Sequence, residues 1–250
     1  MAREILAEPA QVLGHRPGPV DYLYAIAEGL PRRWRPPSVG VNTAPVVARS
    51  LRGLVLITSA IDTLPRPTPK AMARHGDVVA AALTAEALLP LPFGTVVAAL
   101  AVDDWLAGHL DLIRTYLPRL RRHVEMTIRL VSLSPGAEAR ATLRAIAERL
   151  VERAEVSEWR SLEDRPGGPA SSLAFLVHRD GVGEFLARVA PVAARAGDVA
   201  VVPTGPRAPA SGSSVSNAYS ISRSMSRSSS AGGGGAGGGG GSSGGICTCR

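Results

Sequence analysis

At 250 residues with 45% apolar content, the chain can bury a core of its own, in one domain or two smaller ones. Only 4% of the residues are aromatic, so that core must be built from Leu, Val, Ile and Ala. The formal charge of +7 divides unevenly, because residues 205–250 hold Arg207, Arg223, Arg227 and Arg250 and no acid. The tail therefore supplies +4 and the remainder only +3, which excludes a large basic field that would steer phosphate backbones.

The first predicted strand is DYLYAIA, residues 21–27, with Tyr22, Tyr24 and Ile26 on one side at period two. The Pro-rich run PRRWRPP reads as a loop. Two strands are expected at 45–49 and 53–61, around a turn at 50–52. GLVLITSAI is almost wholly apolar, as a strand covered on both faces would be. A helix over 71–87 follows, with Val78, Val79, Ala82 and Leu83 as its stripe. After the turn Phe93-Gly94-Thr95 and a strand, a second helix starts near Asp103. There Asp103 and Asp104 suit the N-cap and the dipole. Its face is Leu106, Leu110, Ile113, Leu117 and Leu120, with Pro118 expected to kink or restart it.

In VEMTIRLVSL, Val124, Met126, Ile128 and Leu130 alternate with Glu125, Thr127 and Arg129, the pattern of a half-buried strand. A third helix covers 136–154, with Leu143, Ile146, Ala147, Leu150 and Val151 on its inner side. After the loop at 166–169 come a strand (SLAFLVH), a helix bounded by Gly181 and Gly197, and a strand (DVAVVPT). The stretch between Asp77 and Asp103 carries only Glu86 and could span a bilayer by length. Pro90, Pro92 and Gly94 break it in the middle, so it reads as helix, turn and strand, with no membrane involved.

The fold class is thus α+β: two small α/β units, the first ferredoxin-like, with a disordered Ser/Gly-rich C-terminal tail. The expected organisation is an N-terminal extension at 1–19, then an α+β ferredoxin-like domain at 20–134. A shortened C-terminal helix plus strand–helix–strand domain follows at 135–208, and a low-complexity tail at 209–250. That tail, rich in Ser and then Gly, cannot bury enough apolar surface to offset its ordering entropy.

No catalytic, cofactor-binding or metal-binding residue emerges. A phosphate-binding glycine loop after a strand, a Gly-x-Ser-x-Gly elbow and a His-Glu-x-x-His are all missing from the sequence. His15, His75, His109, His123 and His178 fall on different elements, and a surface or capping role is expected for each. Cys247 and Cys249 supply neither the four ligands of a structural zinc nor a disulfide framework. The basic cluster Arg119, Arg121 and Arg122 ends a helix, where cations favour the dipole. Arg223 and Arg227 lie in a serine-rich stretch that reads as solvated linker. MAREILAEPAQ has no apolar signal region, so a cytoplasmic protein is expected.

The ordered set of segments resembles the GvpL/GvpF family of gas vesicle proteins. YLYAIAEGL is similar to that family's opening strand, GLVLITSAID to its hairpin strand, and His75 to the histidine of the following helix. LPLPFGT resembles its Leu-Pro-x-x-Phe-Gly-Thr segment, and Val124-Glu125 the start of its next strand. SLAFLVHRDGVGEFLARV and Thr204-Gly205-Pro206 resemble its later strand, helix and closing turn. Pro92 stands where the family has arginine, and Arg207-Ala208-Pro209-Ala210 where it tends to have Trp-Pro-Pro-Tyr.

The resemblance implies an accessory protein without turnover. It would bind the apolar gas vesicle shell protein and other accessory proteins during nucleation and assembly, with no cofactor and no nucleic acid. The alternative is a small-ligand binder or enzyme on a ferredoxin-like scaffold, because fold alone does not fix function. A third reading, RNA contact through the Arg-Ser-Gly tail, rests on two arginines. Phe93 and the leucine face of the second helix are expected in the core, so Phe93→Ala should cost about 3–5 kcal/mol.

Overall fold

The computed structural model describes residues 20–133, 137–162 and 170–209. It forms two antiparallel sheets. The first contains β1 (Val20–Glu28), β2 (Val47–Leu51), β3 (Leu54–Ile61), β4 (Ala87–Pro90) and β5 (Val96–Ala98), with α1 (Pro69–Ala81) between β3 and β4. Its order is β2-β3-β1-β4, and β5 pairs with β1 further along the β4 side. The β2–β3 hairpin closes on Arg52 and Gly53, at φ of 53° and 81°. A two-residue turn needs positive φ at both positions to match the strand twist, and glycine accepts it without a steric cost.

The second sheet takes β6 (His123–Ser132), β7 (Trp159–Leu162), β8 (Ala170–His178) and β9 (Val199–Arg207) in the order β7-β8-β6-β9. Helices α3 (Ala137–Ala154) and α4 (Val182–Ala194) complete a β-α-β-β-α-β unit, the ferredoxin-like arrangement. The first sheet has the same strand order, but the loop 29–46 replaces the helix between β1 and β2. Between the two sheets runs α2 (Val102–Leu120).

Three cores follow from the apolar faces. On one side of the first sheet, Leu23, Ile26, Leu54 and Leu56 pack against Leu106, Ile113 and Leu117 of α2. On its other side Tyr22, Tyr24, Ala25, Ile57 and Leu88 meet Val78, Val79 and Ala82, the last three from α1 and its end. Covered on both faces, β1 and β3 are mostly apolar, as expected for β3, with Asp21, Thr58 and Ser59 as their buried polar residues. In the second unit Met126, Ile128, Leu130, Leu173 and Phe175 lie against Leu143, Ile146, Leu150, Phe185 and Val189 of α3 and α4.

Several local expectations are corrected. The strand at 123–132 belongs to the second sheet, paired with β8 and β9, rather than to the first unit that was expected to end at 134. Ile26 leaves the tyrosine side, because the register of β1 against β3 shifts between Leu23 and Ala25; a bulge moves every later side chain to the other face. Helix α1 stops at Ala81 and the residues after it form a turn into β4, a strand that the helical stripe concealed. It begins with Thr68 as N-cap, whose hydroxyl accepts from the Ala71 N–H, and with Pro69 pre-set for the first turn. Helix α2 runs unbroken through Pro118 to Leu120. Strand β7 was not anticipated. On β6, Glu125 and Thr127 are buried as well as the apolar residues, so that strand is covered on both faces. His15, the extension at 1–19 and the tail with Cys247 and Cys249 lie outside the described residues.

Candidate functional site

The most specific constellation forms where β1 bulges. Opposite the bulge the chain leaves the sheet between β4 and β5. The Leu91 N–H donates to the Tyr24 carbonyl at 2.9 Å, and the Leu23 N–H to the Thr95 carbonyl at 2.9 Å. Between those two anchors Pro92 to Thr95 make a tight turn. Both the N–H and the hydroxyl of Thr95 donate to the Pro92 carbonyl, at 3.1 and 2.7 Å. Gly94 has φ +88°, which the third position of such a turn requires.

Tyr22 and His75 close the turn. The Gly94 N–H donates to the Tyr22 hydroxyl at 3.2 Å, and that oxygen lies 2.8 Å from His75 Nδ1. With the single phenol proton directed to Nδ1, the imidazole is the neutral acceptor there. The imidazole also meets the main chain of Leu91. Leu91, just before the turn, and Gly94, within it, are thus held to β1 and α1 through one tyrosine and one histidine. Around them the rings pack: Phe93 meets Tyr22 and His75 edge-on at 6.0 and 5.8 Å, centroid to centroid, and Tyr24 lies tilted 5.5 Å from His75. The Tyr24 hydroxyl accepts from the Val41 N–H at 2.8 Å and meets Ser59 Oγ at 3.0 Å. A Cβ at Gly40 would fall 2.1 Å from that oxygen, so only glycine fits there.

The electrostatics make this a structural latch. Burial pushes the Tyr22 phenol up to about 12, against a smaller opposing effect of the Gly94 N–H. Burial likewise lowers the His75 imidazole below its usual value, against the opposing Leu91 bond. Both groups stay neutral near pH 7, and each donor and acceptor described is already matched within the chain. Phe93, expected in the core, is half-buried and packs on its margin.

The remaining histidines do not converge with this pair. His109 is buried rather than on the surface, with Nδ1 2.6 Å from the Trp105 carbonyl. His123 and His178 face each other across β6 and β8 at 5.4 Å. Among the described residues no group of three or more His, Cys, Asp or Glu could hold a metal ion. Asp103 is not an N-cap: it lies in the first turn of α2 and accepts two bonds from Arg52, at 2.7 and 3.1 Å. The depression between Asn42 and Ala71 is lined by Thr63, Leu64, Arg66 and Thr68, with no acid or nucleophile beyond hydroxyls.

The basic cluster after α2 proves to be a junction. Arg119 pairs with Glu158, Arg121 with Glu28 and Arg122 with Asp180, at 3.4, 2.7 and 2.8 Å. Those acids belong to both units, a relationship invisible in the sequence because the partners lie 39, 93 and 58 residues away. A second charged group, also unanticipated, surrounds the fully buried Glu125, with Arg207 at 2.8 Å and Arg160 at 3.6 Å.

The fold is thus two α+β units joined by α2, with a latch on the first sheet. Residues 21–141 match the family described as gas vesicle synthesis protein GvpL/GvpF. The gas vesicle protein GvpF from Anabaena sp. PCC7120 has a similar fold, with a TM-score of 0.69 at 16% identity over 80% of this chain and 98% of that one. GvpF from Microcystis aeruginosa is similar too, at TM-score 0.63 and 15% identity over 78% and 99% of the two chains. No curated protein sequence matches. Residues 21–141 thus match the GvpL/GvpF family, and the chain shares its fold with the two GvpF structures. The latch residues Tyr22, His75, Phe93 and Gly94 all fall inside the matched stretch. Among the described residues no helix is long and apolar enough to cross a membrane.

Proposed function

We propose that this chain is a cytoplasmic gas vesicle accessory protein that binds the apolar shell protein and other accessory proteins during nucleation and assembly, without catalysing a reaction. The observation that carries this reading is the latch. The residues through which the chain resembles the GvpL/GvpF family hold a turn against a sheet, and their polar atoms are matched to one another. A residue set of that kind supports a surface, not a reaction. A shell subunit with a gas-facing apolar side would aggregate unless a partner held it during assembly, and an α+β body with two sheets offers edges and faces for such contact.

The test is co-expression with the main gas vesicle shell protein, followed by affinity capture of this chain and of a version ending at Ala210. Recovery of the shell protein with both versions is expected. Capture with neither, from a folded bait, would count against direct shell binding.

A further inference from the structure

We infer that the loop between β1 and β2 is a docking prong for an acidic peptide segment of a protein partner, with Arg32, Arg33 and Arg35 as its contacts. Residues 29–61 contain five arginines and no acid. Two of these are paired with acids of the fold, Arg49 with the buried Asp21 and Arg52 with Asp103 at the surface. The other three stand exposed, and among the described residues no acid pairs with them. Arg119, Arg121 and Arg122, by contrast, each face a carboxylate. The prong is therefore a local excess of positive charge on a body with little net field.

The loop is also held in shape. The Trp34 N–H donates to the Pro31 carbonyl at 2.8 Å, so Arg32 and Arg33 occupy the tip of a turn. Trp34 packs on the core below, and its indole N–H donates to the Ala81 carbonyl at 2.7 Å, at the end of α1. The Arg35 guanidinium bonds the carbonyls of Arg32 and Trp34 at 3.2 and 2.9 Å. Cations fixed in advance lose less entropy when a partner arrives, and guanidinium forks suit carboxylates.

Trp34 decides between partners. A tryptophan among arginines suggests base stacking or burial at a membrane interface. Here the indole is half-buried against the core and its N–H is already bonded, so it is committed to holding the loop. Guanidinium forks take phosphate as well as carboxylate, and the assignment to a peptide rests on this committed aromatic and on the small net charge of the chain outside its tail, +3.

The test uses the full chain and a fluorescein-labelled deca-glutamate peptide, titrated at low salt by fluorescence anisotropy. The comparison is between the triple variant R32Q/R33Q/R35Q and the triple variant R140Q/R144Q/R153Q. The latter removes equal charge from the exposed face of α3 and keeps the tail unchanged. Thermal melts establish that both variants fold. The prong variant should bind about tenfold more weakly, and the α3 variant within about twofold of the parent, with the difference fading as salt screens it. Equal losses in both variants, or no binding by the parent chain, would overturn the inference. So would oligouridylate or phosphatidylserine vesicles binding through these arginines more tightly than the peptide.

Discussion

Arg179, the residue after β8 in the second unit, donates from its guanidinium to the carbonyl of Ala85, 3.0 Å away in the turn that follows α1 of the first. The same nitrogen reaches the Leu83 carbonyl, and the Arg179 N–H donates to the Arg122 carbonyl at 2.6 Å. Beside this contact Leu176 of the second sheet is buried among Tyr116, Leu117 and Leu120 of α2, inside the first unit's core. One arginine thus satisfies two main-chain acceptors in the other unit's turn between α1 and β4.

Replacing Arg179 by alanine should leave those two acceptors without their donor, at a cost of about 1–3 kcal/mol. Urea denaturation of the two proteins measures this, and Arg179→Lys, with a cation but no fork, should fall between them. An unchanged midpoint in Arg179→Ala would show that the contact contributes nothing to the junction.

Tyr22→Phe keeps the buried ring and removes only the hydroxyl, stranding the Gly94 N–H and His75 Nδ1 together. The expected loss is about 1–3 kcal/mol. Amide hydrogen exchange should localise it, with Gly94 and Thr95 exchanging faster while β6 and β8 keep their protection.

The latch also gives a pH dependence with a definite sign. Burial lowers the His75 pKa in the folded state, so the unfolded chain binds the extra proton more readily. The contribution is fully present above the unfolded value near 6.5, and it is lost as pH falls from there toward the lower folded value. Urea midpoints should drop from pH 8 to pH 5.5, and the drop should shrink in His75→Gln. Equal drops in both proteins would assign the effect to other groups.

Phe93→Ala and Phe185→Ala separate half burial from full burial. Phe185 is wholly enclosed against Phe175 at 5.3 Å, and its truncation should cost about 3–5 kcal/mol. Phe93 keeps a solvent-facing side, so the same change there should cost about 1.5–3 kcal/mol, less than a fully buried ring. Equal losses in calorimetry would mean that Phe93 is enclosed in solution.

Much of this architecture is legible in the sequence. Strands β1, β3 and β8 are apolar runs, and α3 shows a clean stripe, because burial imposes those patterns directly. β4 was hidden because four residues, Ala-Leu-Leu-Pro, continue a helical stripe as readily as they form a strand. β7 was hidden because Trp-Arg-Ser-Leu is a short edge strand in which only alternate residues are partly covered. The sheet to which β6 belongs has no local signature at all, since periodicity marks a strand without naming its neighbour. The latch was visible only as separate pieces: Tyr22 and His75 are 53 residues apart, and nothing in their spacing shows that they meet.

A role in assembly is tested by expressing a gas vesicle gene set with and without this chain, read by electron microscopy and by flotation of the cells. Gas vesicles are expected when the chain is present and few or none when it is absent, with restoration by the version ending at Ala210. Normal vesicles in normal number without the chain would contradict a role in assembly.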